Sequence, residues 1–307
     1  MSDDQKVDTA YPNYKPEAQE QSLPGKDADM KPGAEHTKVE RWTRDGKPYL
    51  VEYQGSDKLK DRAAIITGGD SGIGRSVAVF FAREGCDVTV NYLPVEEEDA
   101  QVTKKLVQEA GRKCLLIPGD LRDESVREKI IKTHLDEFKY IDVLVNNASQ
   151  QVGCKDIADI DMQVVEDTFK SNIIQMIGLT KLATPHMQKG SCIINTSSVT
   201  AYKGSAAMLD YSSTKGAITA FTRSLALQLL PKGIRVNAVC PGPVYTPLQP
   251  ASRPSDNMEN WGVNEIPLYG RVGQPAELGA AYIFAAADSN LMTGQALHLN
   301  SGQYFVP

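Results

Sequence analysis

Tyr211-Ser212-Ser213-Thr214-Lys215 is the segment whose residue types and spacing most directly suggest chemistry. Tyr and Lys four positions apart on a helix share one face, one turn apart. An alcohol oxidised by hydride loss must also lose its hydroxyl proton, and a phenol with its ordinary pKa of about 10 is a poor base at neutral pH. A neighbouring lysine cation favours the tyrosinate and is expected to bring the phenol toward a useful range. In the reducing direction the same phenol gives its proton to a carbonyl oxygen. Thirteen residues upstream lies Ser198, ending the strand-like run Cys192-Ile193-Ile194-Asn195 with Thr196 and Ser197. Its hydroxyl can hold the substrate oxygen beside the phenol as a polarising donor. Taken alone, Tyr and Lys at this spacing are as readily a solvated surface pair.

A second segment has the composition of a phosphate-binding turn: Thr67-Gly68-Gly69-Asp70-Ser71-Gly72-Ile73-Gly74-Arg75. Glycines permit a tight turn and close approach of the backbone to a pyrophosphate. A following helix aims its free N–H groups and positive dipole end at the anion. A glycine cluster is weak by itself, but this one follows an apolar β-rich run and opens a helical stretch.

These residues need a scaffold, and the pattern of the chain supplies one. From Leu59 onward, short apolar runs alternate with amphipathic stretches such as Ser125 to Phe138. The runs are Ala63–Thr67, Val88–Tyr92, Cys114–Ile117, Ile141–Val145, Cys192–Asn195, Ile234–Val239 and Ala296–Leu299. Nearly continuous apolar strands are covered by helices on both faces. Seven of them alternating with helices predict an α/β fold: one Rossmann-type, doubly wound domain over residues 59–307 with a seven-stranded parallel sheet. Residues 1–58 are rich in Pro, Lys, Asp, Glu and Gln and hold no persistent period, so they read as an arm. Its second half, around Trp42 and Tyr49–Tyr53, is apolar enough to dock on the domain or on a neighbouring subunit, or else forms a flexible tail.

The glycine spacing is TGxxxGxG, and with it the sequence resembles the short-chain dehydrogenase/reductase family from about residue 59 to the end. Asn146-Asn147-Ala148-Ser149 is similar to the family's NNAG motif, with Ser in place of Gly. The resemblance implies a nicotinamide cofactor held by Gly68, Asp70, Ser71, Gly72, Ile73, Gly74 and Arg75 of the turn. It adds Tyr92, Asp120 and Leu121 at the adenosine end. Asn147, Ala148, Lys215, Pro241, Gly242, Val244 and Thr246 complete the set, Thr246 toward the nicotinamide amide. It implies Ser198 rather than Ser197 beside Tyr211 and Lys215. It also implies Asn172 as the helix asparagine anchoring a water in the proton path to the lysine. A dimer or tetramer is implied as well, the apolar residues from Asp210 to Leu230 being enough to bury a second face.

An acid ending the second strand would bind the ribose hydroxyls of NAD. Tyr92 stands there, so the sequence favours NADP(H) over NAD(H), with Arg75 the nearest candidate for a 2′-phosphate. The acidic run Glu96–Asp99 reads as the exposed start of a helix. The GGDSGIGR turn behind a long arm resembles the glucose/ribitol dehydrogenase homologues and the general stress oxidoreductases. This suggests a carbonyl reductase or alcohol dehydrogenase, or alternatively a sugar or polyol dehydrogenase. The long arm also leaves room for a non-catalytic dinucleotide-binding partner or redox sensor. A substrate roof is expected from Pro243 through Trp261 and Tyr269 to about Gly270, with Gln150, Gln151, Tyr202 and Lys203 as further candidates to face the site.

Bulk properties narrow the classes. The 307 residues carry a net charge of −6, with 41% hydrophobic and 23% charged residues. That balance suits a buried core and argues against sequence-independent nucleic-acid binding, which needs a basic face. No run of 18 apolar residues exists, and Met1–Lys6 is not followed by an apolar stretch, so neither a membrane span nor a secretory signal is expected and the cytoplasm is the default. Five widely spaced cysteines without CxxC read as reduced small apolar residues, and no metal site is expected. His36, His134, His186 and His298 form no motif with a serine, and there is no GxSxG, so a serine hydrolase is rejected.

Overall fold

The computed structural model describes residues 7–305; Met1–Lys6 and Val306–Pro307 lie outside the described residues. Seven parallel strands form one sheet in the order β5-β4-β3-β6-β7-β8-β9. The chain first makes a hairpin, β1 (Lys38–Trp42) and β2 (Pro48–Glu52). The alternating part follows: β3 (Ala63–Thr67), α1 (Gly72–Arg83), β4 (Asp87–Tyr92), α2 (Glu97–Glu109), β5 (Cys114–Pro118), α3 (Glu124–Phe138) and β6 (Val143–Asn146). Then come α4 (Met162–Phe169), α5 (Gln175–Ala183), β7 (Cys192–Thr196), α6 (Thr200–Lys203), α7 (Leu209–Leu229), β8 (Arg235–Pro241), α8 (Ala276–Ile283) and β9 (Ala296–Leu299). Each of the seven expected runs is a strand, with ends that move by one or two residues, as strand ends do. All five residues of β3 are buried, as a strand covered on both faces requires.

The strand order reverses between β3 and β6. Such a switch point leaves a crevice at the carboxyl ends of the strands, where doubly wound sheets bind ligands. One face of the sheet packs on α1 and α8, with Phe80, Phe81, Tyr282 and Ile283 in the core. The other packs on α3, α5 and α7 through Ile130, Leu179, Leu225 and Leu229. Buried polar groups fix the register of the middle strands. Asn146 Nδ2 donates to Asn195 Oδ1 at 2.9 Å, and Asn195 Nδ2 donates to Thr222 Oγ1 on α7 at 2.9 Å.

The arm is more ordered than its composition suggests. Its hairpin pairs Val39 with Val51 and Trp42 with Pro48, and Trp42 stacks on Tyr269 at 5.2 Å between ring centroids. The first half of the arm also docks, which its sequence did not signal. Tyr11 is fully buried, with the Arg271 guanidinium over its ring. Met30 packs with Tyr245, Met258, Ile266 and Val272. The contacts that order this half are scattered polar bonds to distant residues, invisible to any local period.

All five cysteines are free; Cys86, Cys114, Cys192 and Cys240 are buried and Cys154 is half-buried. Among the described residues no helix is long and apolar enough to cross a membrane.

Candidate active site

A cavity of about 400 Å³ runs along the carboxyl ends of the strands. That volume lies within the ordinary range of small-molecule sites. Gly68 after β3, Tyr92 ending β4, Asp120 after β5, Asn147 after β6, Ser198 after β7 and Gly242 after β8 all line it.

The turn after β3 is locked to the loop after β6. Thr67 Oγ1 accepts from the Asn147 and Ala148 N–H groups at 2.9 and 3.0 Å. Asn147 Nδ2 returns donations to the Thr67 and Gly68 carbonyls at 3.2 and 3.1 Å. Gly74 permits this closeness: a Cβ there would lie 1.9 Å from the Gly68 carbonyl oxygen. Gly74 therefore shapes the turn from behind and does not itself line the cavity. Ser71, at the start of α1, makes no side-chain cap; the Gly72 N–H is taken by the Asp27 carboxylate at 2.9 Å, so an anion in the cavity would use the N–H groups after it.

At the other end, α7 presents Tyr211 and Lys215 on one face. Lys215 Nζ lies 5.2 Å from the Tyr211 ring centroid and donates to the Thr196 carbonyl at 3.0 Å. Ser198 faces the Tyr211 phenol across the cavity lining, and its Oγ accepts from the Thr200 N–H and hydroxyl, each at 3.1 Å. Its neighbour Ser197 is turned away, donating to the Lys215 carbonyl at 2.9 Å. Burial pushes the Tyr211 phenol up to about 12, while the Ser198 hydroxyl works in the other direction. Burial also pulls the Lys215 ammonium down to about 7, opposed by the Cys240 thiol. This corrects the expectation that the lysine cation lowers the phenol: loss of water disfavours the charged form of each group. Burial thus favours the neutral form of both groups.

Asn172 does not line the cavity. It sits in a π-helical turn, Lys170–Ile174, between α4 and α5. Its amide is occupied: Oδ1 accepts from the Gln150 N–H at 2.8 Å, and Nδ2 donates to the Gln150 carbonyl and to Thr214 Oγ1 at 2.9 and 3.0 Å. The side chain ties the Gln150 loop to the helix that carries Tyr211.

Arg75 corrects another expectation. It is 6% exposed and lies outside the cavity. Its guanidinium bonds Asp99 Oδ1 at 2.9 Å, Asp27 Oδ2 at 3.2 Å and the Asp70 carbonyl at 2.8 Å. The turn of α1 aims position 75 at the start of α2 and at the arm, where three acceptors hold it away from any 2′-phosphate. The acidic run is likewise only half exposed. Glu97 and Glu98 face solvent, whereas Asp99 is buried on Arg75, and Glu96 is buried and lines the cavity.

The remaining turn and strand-end candidates, Gly68, Asp70, Ser71, Gly72, Ile73, Tyr92, Asp120, Leu121, Asn147, Ala148, Lys215, Pro241, Gly242, Val244 and Thr246, all line the cavity, beside Ser198 and Tyr211. Of the expected roof, Pro247, Leu248 and Gln249 line it. Trp261 instead packs toward Met30 and lies under the Arg253 guanidinium, and Tyr269 meets Trp42. Gln150 lines the cavity, while Gln151 bonds Gln249 and Ser252. Tyr202 meets His298 edge-on and Tyr304 at a tilt, and neither it nor Lys203 lines the cavity. Leu23 and Pro24 of the arm, Ser171 and Gln175 line it without any signal in the sequence pattern.

The family model described as enoyl-(acyl carrier protein) reductase matches residues 68–303. The chain belongs to the short-chain dehydrogenase/reductase family. Within this family it is 45% identical over 281 residues to the NADPH-dependent aldehyde reductase 1, chloroplastic, of Arabidopsis thaliana, covering 86% of this chain and 97% of that protein. It is 42% identical over 293 residues to the glucose and ribitol dehydrogenase of Daucus carota, covering 94% and 96%. A short-chain dehydrogenase from Burkholderia cenocepacia, solved in complex with NADP, superposes with a TM-score of 0.74 at 26% identity, covering 80% of this chain and 98% of that one.

The family implies a dinucleotide, and the residues present fit one. Asp70 Oδ2 and Ser149 Oγ are buried atoms without a hydrogen-bond partner, on residues that line the cavity. Buried polar atoms of this kind call for an acceptor or donor from a ligand or water, and the hydroxyls of a dinucleotide offer both. The start of α1, past the Gly72 N–H that Asp27 holds, suits its pyrophosphate.

Proposed function

We propose that the chain is an NADPH-dependent carbonyl reductase, running as an alcohol dehydrogenase in reverse, with Ser198, Tyr211 and Lys215 as its catalytic residues. The observation that carries this reading is the convergence of those three side chains in the same cavity as the glycine turn. The nicotinamide cofactor, when bound, supplies or accepts the hydride. Gly68, Ser71, Ile73 and Asn147 would hold its phosphates and ribose, with Asp120 and Leu121 beside the adenine and Val244 and Thr246 toward the amide.

The chain's own residues handle the oxygen and the proton. Ser198 holds the carbonyl oxygen of the substrate and aligns the Tyr211 phenol. Tyr211 gives its proton to that oxygen as it becomes a hydroxyl. Lys215, close to its own titration point at neutral pH, returns a proton to the phenolate. Asn172 is a positioning residue: it fixes the Gln150 loop and Thr214, one turn from Tyr211.

NADP(H) over NAD(H) is part of the proposal. The NADPH-dependent relative and the NADP-bound neighbour support it. So does Tyr92, which stands where an acid would bind the ribose and donates its hydroxyl to Glu97. A homo-oligomer is part of it too, since Leu227 and Leu230 stand exposed at the end of α7.

A second reading, oxidation of a sugar or polyol, is favoured by the wall near Asn172. Gln150, Ser171, Gln175 and Gln249 line the cavity, and the buried Gln175 Oε1 has no partner. Uncharged amides and hydroxyls of this kind suit a polyhydroxylated substrate. The two readings separate by titrating NADPH and NADH against the wild type and Tyr211→Phe by fluorescence, with turnover measured on aldehydes, ketones and polyols. NADPH binding kept and carbonyl turnover lost in the variant supports the reductase. Preferred NADH binding with polyol oxidation supports the second reading. Binding of neither dinucleotide overturns both.

A further inference from the structure

The arm before the sheet meets the phosphate turn at one point and the cavity itself at another. The first is Asp27, buried in a short 3₁₀ turn. Its Oδ2 accepts the backbone N–H of Gly72 at 2.9 Å, at the first residue of α1. The same oxygen meets His36 Nε2 at 2.8 Å and the Arg75 guanidinium at 3.2 Å. The backbone is used as well: the Asp27 and Ala28 N–H groups donate to the Asp99 carboxylate of α2 at 2.8 and 3.2 Å. Neighbouring His36 and Arg75 hold the Asp27 carboxyl below its ordinary range, to about 2, against the opposing effect of burial.

The second point is Leu23-Pro24-Gly25. Leu23 and Pro24 line the cavity with Ser71, Gly72, Thr246 and Pro247. Gly25 sits so close to the roof that a Cβ there would lie 2.5 Å from the Pro247 carbonyl oxygen. Just before it, the Gln21 N–H donates to the Pro250 carbonyl at 3.0 Å. Farther along, Tyr245 Oη donates toward the Lys31 and Pro32 carbonyls at 2.8 and 2.9 Å. The arm thus grips the phosphate turn and the roof over it.

We propose that the arm is a working part of the dinucleotide site, with Asp27 as a positioning residue for the phosphate turn and Leu23–Pro24 as a wall against the bound cofactor. This rests on the dinucleotide-binding function proposed above. The physical logic is preorganisation. The anion-binding N–H groups that follow Gly72 are useful only in a fixed shape, and a shape held before binding costs less affinity than one formed during it. Asp27 takes the Gly72 N–H and ties it to α2 through Arg75 and Asp99. The carboxylate and the pyrophosphate then use different N–H groups of the same helix start.

The test compares NADPH binding and steady-state carbonyl reduction by the full-length wild type, Asp27→Asn, Asp27→Glu and Leu23→Ala. Leu23 is 44% exposed, so Leu23→Ala leaves the fold intact and probes the wall alone. We expect Asp27→Asn to raise the NADPH Kd about tenfold, the scale of one charge-assisted hydrogen bond. Its kcat and carbonyl KM at saturating NADPH stay close to wild type, and Asp27→Glu recovers part of the affinity. Leu23→Ala weakens NADPH binding by several fold with the same split. A purely structural role would lower thermal stability and active fraction, with no change in Kd for the folded molecules. Wild-type Kd in both Asp27→Asn and Leu23→Ala overturns the inference while leaving the enzyme reading standing. If Asp27→Asn does not fold, Leu23→Ala decides alone. A wild type that binds no dinucleotide overturns both.

Discussion

The Lys215 ammonium stands over the Tyr211 ring, 5.2 Å from its centroid, and donates to the Thr196 carbonyl at 3.0 Å. The two groups are linked through the wall of the cavity and by burial, which drives both toward neutrality. With the phenol up at about 12 and the ammonium down at about 7, the resting pair suits proton donation better than abstraction.

The first consequence is a pH profile. For reduction, Lys215 must carry the proton that restores Tyr211, so kcat/KM is high while it is protonated and falls as pH rises through about 7. The slope on the alkaline side approaches tenfold per pH unit. Lys215→Arg keeps a cation that cannot release its proton, so reduction falls across the whole pH range and the limb centred near 7 disappears. An alkaline limb unchanged in the arginine variant assigns the titration to another group.

Tyr211→Phe and Ser198→Ala remove different functions. Losing the acid costs about 10²–10⁴ in turnover. Losing the polarising hydroxyl costs on the order of 10²–10³. Neither change weakens NADPH binding, because neither touches the turn after β3. Single-turnover kinetics with saturating NADPH measures both losses, and wild-type rates in either variant would remove that residue from the mechanism.

Arg75 is structural here, so Arg75→Ala loses stability without changing cofactor choice. The change removes the guanidinium shared by the buried Asp27 and Asp99, which keep His36 and backbone N–H partners, a cost of about 1–3 kcal/mol. Chemical denaturation reads the loss. NADPH and NADH affinities of the folded fraction shift together; a selective loss of NADPH would return Arg75 to the 2′-phosphate.

The carboxyls at the cavity wall make stability fall with alkalinity. Burial pushes the Glu96 and Asp70 carboxyls up, and each is raised further by a neighbouring carboxyl. The folded chain then holds protons that the unfolded chain releases near pH 4. Their contribution is fully present below that pH and is lost as pH rises from there through the raised native values. The thermal midpoint should decline from pH 6 to 9, and Glu96→Gln should reduce that slope. An unchanged slope means Glu96 is ionised throughout.

Asn172→Ala leaves the Gln150 N–H, the Gln150 carbonyl and Thr214 Oγ1 with lost partners. A loss of about 1–3 kcal/mol per unsatisfied buried group is expected. Turnover falls with it, because Thr214 and Tyr211 share a helix turn. Asn172→Ala with wild-type stability and turnover would show that this link is dispensable.

The sequence by itself determined the sheet, the glycine turn and the Tyr211–Lys215 face. These depend on period and spacing: apolar runs of four to six residues, a four-residue step on a helix, glycines where the backbone must come close. Chain neighbours set such features, so they survive without the fold. What only the tertiary structure decided lies between residues far apart in the chain. Arg75 has the right type and place for a phosphate, yet Asp27 and Asp99, 48 and 24 positions away, claim it. Glu96 and Asp99 read as the solvated start of a helix until the arm covers them. The arm has no period because polar bonds to distant elements hold it: Asp27 to Gly72, Gln21 to Pro250, Tyr245 to Lys31. Even the sign of the Tyr211 shift was a tertiary matter, since spacing brings a lysine near a phenol but only burial settles which charge state survives.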